Sequence, residues 1–280
     1  MSNSNKYGLS RNIPNEIKRI VRKKCGFGCI ICGCAIYEYH HYDPPFSEAE
    51  EHNPEKIILL CGKCHDHIGR GIWSEEKIKI SSNNPKCIEQ GYSQSLFDFQ
   101  EKKPEIVFGP STWINTTVII NAFNTPILII KEPEEEGTPY RLSGLFYDDN
   151  SNCIFKIIEN EWQGLIGNWD IEITGRTLII RRELRKIALK LTTHPPNKII
   201  FDKININYKG ALIKGEKDKK FIIKHPNGSN LEMTDSFGDG CDYGIDITDK
   251  GIIIGSNCKS MKIKSIKIWK RKNSIHKDST

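Results

Sequence analysis

Apolar and polar positions recur with two different periods along this chain, and the change of period divides it. In Asn15-Glu-Ile-Lys-Arg-Ile-Val-Arg-Lys-Lys24, Ile17, Ile20 and Val21 fall at i, i+3 and i+4, which predicts a short amphipathic helix after Pro14. Lys18, Arg19, Arg22, Lys23 and Lys24 cover its remaining surface. Residues 1–13 are polar and are expected to be loose. From Cys25 to Trp73 short apolar runs alternate with Cys, His, Gly and Pro. Cys34 to His41 and Lys56 to Leu60 predict a hairpin with a loop through Pro44-Pro45, then a brief helix at Gly62 to Ile68 closed by Gly69 and Gly71. Ser74-Glu-Glu-Lys, an N-cap residue before acidic first-turn residues, predicts another short helix over 74–80.

Further on the pattern turns to strands. Val118-Ile-Ile, Ile127 to Ile130, Ile171-Glu-Ile, Thr177 to Ile180, Ile187 to Leu191, Ile199 to Ile206, Phe221-Ile-Ile, Ile252-Ile-Ile and Met261 to Trp269 are bounded by turn residues, several with two-residue alternation. Tyr208-Lys-Gly, Pro226-Asn-Gly and Asp249-Lys-Gly are turn signals. So many strands with few helical segments predict an antiparallel sandwich or barrel. The expected organisation is an N-terminal domain over 1–85, a linker over 86–104 following the breaker cluster Ser81 to Pro85, a β-rich domain over 105–272 and a tail over 273–280.

Composition narrows the class. With 280 residues, 38% hydrophobic and 27% charged, the chain reads as a folded globular protein of about two domains. No apolar stretch approaches the ~20 residues that span a bilayer, and Met-Ser-Asn-Ser-Asn-Lys does not read as a signal peptide, so no membrane and a cytoplasmic location are expected. The formal charge of +6 favours anionic partners only mildly, and residues 1–100 carry 13 Lys+Arg against 12 Asp+Glu. A nucleic-acid contact must therefore come from local basic residues.

Six of the ten cysteines (25, 29, 32, 34, 61 and 64) crowd into the first quarter. In a cytoplasmic chain such crowding points to metal ligation rather than disulfides. Cys29-Ile-Ile-Cys32 and Cys61-Gly-Lys-Cys64 are two knuckles that together offer four thiolates to a tetrahedral Zn2+ at ~2.3 Å. Cys25 and Cys34 are surplus competitors. Around the knuckles lie His40, His41, Asp43, His52, Asn53, His65 and His67, more ligand and acid–base groups than packing calls for.

Cys29-Ile-Ile-Cys32-Gly, Tyr39-His40-His41-Tyr42-Asp43-Pro44 and Ile57-Ile-Leu-Leu-Cys61-Gly-Lys-Cys64-His65 together resemble the HNH endonucleases. The resemblance covers about residues 10–80. It implies an α+β chain: a small zinc-braced ββα-metal domain followed by the all-β antiparallel sandwich or barrel-like domain. By position it makes His40 and His65 ligands of a catalytic Mg2+ or Mn2+ and His41 the general base. The family's asparagine slot, five residues before the third cysteine, holds Lys56 here. Either Asn53 fills that role through a rearranged loop, or Lys56 contacts a phosphate and the ion loses a ligand.

The implied activity is metal-dependent hydrolysis of DNA phosphodiester bonds. An imidazole with pKa near ~6.5 suits the removal of water's proton by His41, and histidine ligands favour Mn2+ or another transition ion. Zn2+ would be structural, and Lys18, Arg19, Arg22, Lys23 and Lys24 would contact the phosphate backbone. A compact cutter before a larger β-rich part looks like the layout of prokaryotic defence effectors, with the β domain docking an activating partner protein or guide complex. Two alternatives stand: a restriction-type enzyme whose β domain reads DNA, and a zinc-braced nucleic-acid-binding protein without catalysis. In the β domain, Phe237-Gly-Asp-Gly-Cys-Asp242 reads as a turn-rich connector, and Trp113, Trp162 and Trp169 read as core.

Overall fold

The elements run α1 (Asn15–Lys24), β1 (Glu38–His41), β2 (Ile57–Leu60), α2 (Gly62–Gly69), α3 (Glu75–Asn83), α4 (Lys86–Gln90), β3 (Tyr92–Leu96), β4 (Glu105–Phe108), β5 (Ser111–Ile114), β6 (Val118–Ala122), β7 (Thr125–Lys131), β8 (Arg141–Tyr147), β9 (Cys153–Ile158) and β10 (Glu161–Leu165). They continue with β11 (Asp170–Thr174), β12 (Thr177–Glu183), β13 (Lys186–His194), β14 (Lys198–Tyr208), β15 (Ala211–Glu216), β16 (Phe221–Lys224), β17 (Ser229–Asp239), β18 (Tyr243–Thr248), β19 (Gly251–Ser256) and β20 (Ser260–Lys270). This computed structural model describes residues 4–100 and 102–270. The expected tail at 273–280 lies outside them. Among the described residues no helix is long and apolar enough to cross a membrane. The chain is α+β and mostly sheet.

Two units divide the chain. The first comprises Met1–Phe97, Ile154–Lys156 and Glu161–Ile187, the second Asp98–Cys153, Ile157–Asn160 and Ala188–Thr280. The expected continuous boundaries give way to an interleaved division. The stretch expected as linker holds α4 and β3, with Cys87 fully buried.

In the first unit all four side chains of β2 are buried, because β1 covers one edge of a strand packed on both faces. Their neighbours in the core include Val21 of α1, Cys25, Cys29, Ile30, Cys61, Cys64 and Ile78 of α3. The apolar stripe of α1 is narrower than its sequence predicts: Val21 is buried and Ile17 packs partly, while Ile20 is 40% exposed. β11 and β12 form an antiparallel hairpin, and β3 pairs antiparallel with β10. Residues 5–13, expected to be loose, are tied down. The Asn5 side-chain amide donates to the carbonyls of Phe46 (2.7 Å) and Ala49 (2.6 Å), and its Oδ1 accepts from the N–H groups of Tyr7 and Leu9. Two local bonds and two to the distant 46–49 loop thus hold a segment with little apolar content.

The second unit is built from strands in two layers. One runs β19-β18-β6-β7-β8, with β6 and β18 parallel. In the other, β13 flanks β14, and β20 pairs along the full length of β17. Between β14 and β17 two hairpins lie end to end: β4 and β15 share one edge of β14, while β5 and β16 share one edge of β17. The hairpin ends meet where Gly109, at φ +49°, sits so close that a Cβ would lie 2.8 Å from the Glu216 carbonyl oxygen. β4 and β5 pair in parallel with their long neighbours, so the expected purely antiparallel arrangement is corrected to a mixed one. Phe201 of β14 stacks on Phe108 of β4 at 4.7 Å and on Phe146 of β8 at 5.4 Å, joining the layers. Phe237 to Asp239, expected in a connector, belong to β17, and Cys241 is disulfide-bonded to Cys258.

Candidate metal centre and histidine cleft

The loop before β1 folds back on itself: Cys29 N–H donates to the Cys34 carbonyl, Gly33 N–H to the Cys29 carbonyl, and Ile30 N–H to the Leu59 carbonyl of β2. The last bond fixes the first knuckle to the strand that leads into the second. Cys61 is the N-cap of α2, with its sulfur accepting from the Cys64 N–H. The four sulfurs of Cys29, Cys32, Cys61 and Cys64 consequently lie within 4.8 Å of one another. Tetrahedral ligands at ~2.3 Å stand about 3.8 Å apart, so the set fits a structural metal such as zinc. A hydrogen bond from Cys32, assisted by backbone N–H groups, holds the Cys29 thiol down at about 5 against the opposing effect of burial. Burial and the Cys29 charge push Cys64 up to about 12. Four thiols that cannot all ionise alone are what a cation at their centre would resolve. Cys25 and Cys34, the surplus candidates, lie outside this group.

Strand alternation turns His40 and His41 to opposite sides of β1. His40 Nδ1 lies 3.0 Å from Nε2 of His65 on the first turn of α2, immediately after the second knuckle. Burial, then the neighbouring His65 and His41, lower the His40 pKa to about 4, so its ring is neutral and keeps a lone pair. His41 is buried, with Nε2 3.1 Å from Nδ1 of His52 and its ring 5.4 Å from that of Phe46. Burial and His52 lower its pKa as well. His40, His41 and His65 line one cleft of about 830 Å³ with Lys6, Arg11 and Lys18.

Other expected residues sit elsewhere. The Asn53 side chain caps a single helical turn by accepting from the Glu55 N–H, and Lys56 pairs with Asp43 at 2.9 Å. Neither lines the cleft. Of the basic face of α1, only Lys18 does. Arg19 stacks over Trp169, Lys23 donates to the carbonyls of Ile166 and Asn168, and Lys24 donates to the Pro54 carbonyl. Arg22 is buried against Asp170, which corrects its expected place among the solvent-facing contacts. His52, offered by the sequence as one of several ligand or acid–base groups around the knuckles and given no role of its own, lies in the loop between β1 and β2 and meets His41 at 3.1 Å.

No family model matches the chain, and no curated protein or solved structure matches it either.

Proposed function

We propose that the first unit is a metal-dependent, HNH-type endonuclease that hydrolyses DNA phosphodiester bonds, with the β-rich unit targeting or regulating it. The observation that supports this most is the His40–His65 pair, 3.0 Å apart on a strand and the helix that follows, beside four clustered cysteines. Imidazole nitrogens bound at ~2.1 Å and at right angles on one ion lie about 3.0 Å apart, so the pair fits two adjacent positions on a cation. His40 and His65 would hold Mn2+ or Mg2+, whose charge stabilises the scissile phosphate and the leaving oxygen when bound. His41 Nε2 lies 3.1 Å from His52 Nδ1; in the tautomer in which His41 Nε2–H donates, Nδ1 of His41 is left to take the proton of an attacking water. Lys18 and its neighbours in the cleft hold the phosphate backbone. In this reading the β-rich unit belongs to a defence-type effector and answers to a partner protein or guide complex.

The positions of Asn53 and Lys56, both outside the cleft, favour the second reading, a zinc-braced nucleic-acid-binding protein without catalysis. Incubating the protein with plasmid and single-stranded DNA, with Mn2+, Mg2+ or neither, beside His41→Ala, separates the two. Ion-dependent nicking lost in the variant is expected. Binding without nicking under either ion selects the second reading, and equal cutting by the variant removes His41 from the chemistry.

A further inference from the structure

The cations of the first unit divide into those with a carboxylate partner and those without, the latter including Arg19 over Trp169 and Lys23 on two backbone carbonyls. Arg22, Lys24, Lys56, Arg70 and Lys86 each have a carboxylate partner. Lys6, Arg11 and Lys18 line the histidine cleft and, among the described residues, have none; Glu38 is the one carboxylate in the lining. Three cations without an ion pair, set against one carboxylate in the same concave lining, leave a net positive field that favours a polyanion.

Their supports tie them to the histidines. The Arg11 guanidinium stands 4.7 Å over the ring of Phe46, and that ring is 5.4 Å from His41. Lys18 Nζ stands 5.9 Å over Tyr39, the residue before His40, and reaches Asn12 at 3.5 Å. Asn5, beside Lys6, binds the carbonyls of Phe46 and Ala49, so the segment carrying Lys6 and Arg11 is fastened to the loop that holds Phe46. An aromatic face positions a guanidinium without neutralising it, leaving its N–H fork for an anion.

We infer that Lys6, Arg11 and Lys18 form the clamp that seats the sugar–phosphate backbone of DNA across the His40–His41–His65 cleft, with the N-terminal segment supplying two of its three cations. The inference rests on the nuclease reading and moves the DNA contact from the helix face of Arg19, Arg22, Lys23 and Lys24 to the N-terminal segment. Each cation neutralises one phosphate and releases its counterion.

The test measures binding of a fluorescent DNA duplex, and of a single strand, by anisotropy over a range of salt concentrations. It uses the His41→Ala background so that no probe is cut. The plot of log Kobs against log salt should become shallower by about 0.7–0.9 per cation removed in Lys6→Ala, Arg11→Ala and Lys18→Ala, roughly additively in the triple variant. Arg11→Lys should keep most of the slope, and Arg19→Ala should leave it unchanged. If the parent binds with a steep slope and the triple variant matches it, the clamp is elsewhere and this inference falls while the nuclease reading stands. If the parent binds neither probe at any salt, the nuclease reading falls and takes the clamp with it.

Discussion

Arg22 and Asp170, 148 positions apart in sequence, form a bidentate ion pair with both bonds at 2.8 Å and both side chains almost wholly buried. The remaining Arg22 nitrogen donates to the Tyr39 hydroxyl at 2.9 Å, and Arg181 also donates to Asp170 Oδ2, at 3.2 Å. Burial alone would lower the arginine pKa, but the hydrogen bond to Asp170 and the surrounding negative charge outweigh it and raise it. The pair therefore holds α1, β1 and β11 as one piece. Asp170→Ala would leave a buried guanidinium without its partner, and we expect a loss of about 3–5 kcal/mol, read by urea denaturation. Arg22→Met, after which the Asp170 carboxylate keeps Arg181 as its partner, should cost clearly less.

Zinc should be present at about one atom per chain by elemental analysis. Cys64→Ser should lose it, and amide exchange should accelerate in β2 and α2 while β14 and β17 keep their protection. The contrast follows because Cys61 and Cys64 stand at the junction of β2 with α2, whereas the second unit has its own core around Phe201.

On the proposed nuclease reading, His41→Ala should lower kcat by about 10²–10⁴, the usual contribution of a general base. His52→Ala should give a smaller fall with KM little changed, since His52 meets His41 at 3.1 Å and does not line the cleft. His52→Asn, which retains an acceptor, should recover part of it. Equal activity in His52→Ala and wild type would show that the 3.1 Å contact has no role in orientation.

Gly238 and Gly244 lie against the buried ring of Trp113, and a Cβ on Gly238 would collide with that ring. Gly238→Val should destabilise the second unit by about 1–3 kcal/mol and shift the tryptophan emission to the red, without changing zinc content.

Local chemistry made part of this legible. Two-residue spacers bring thiolates together wherever the flanking chain runs, so the four zinc candidates could be read directly. His40 and His65 follow in the same way, since each is fixed to a knuckle or to the strand beside it. Long β-branched runs such as Ile199 to Ile206 announced their strands. β17 was hidden because its sequence, Ser-Asn-Leu-Glu-Met-Thr-Asp-Ser-Phe-Gly-Asp, buries polar residues. The buried Ser236 satisfies its hydroxyl on that of Ser111 at 2.6 Å, a partner 125 residues away. Arg22 misled for a related reason. A cation among four others on a helix reads as solvated unless a distant carboxylate is known to reach it.

The interleaved division of the chain also sets a timetable for synthesis. Ribosomes deliver residues in order, at ~5–20 per second, so Asp170 emerges on the order of 10 s after Arg22. During that interval the nascent first unit holds an arginine whose acid does not yet exist, and residues 98–153 of the second unit must be made meanwhile. The histidine cleft can form early from residues 5–65, but the support beneath Tyr39 arrives late. A newborn chain thus completes its first unit only after residues 98–153 and 157–160 of the second have been made.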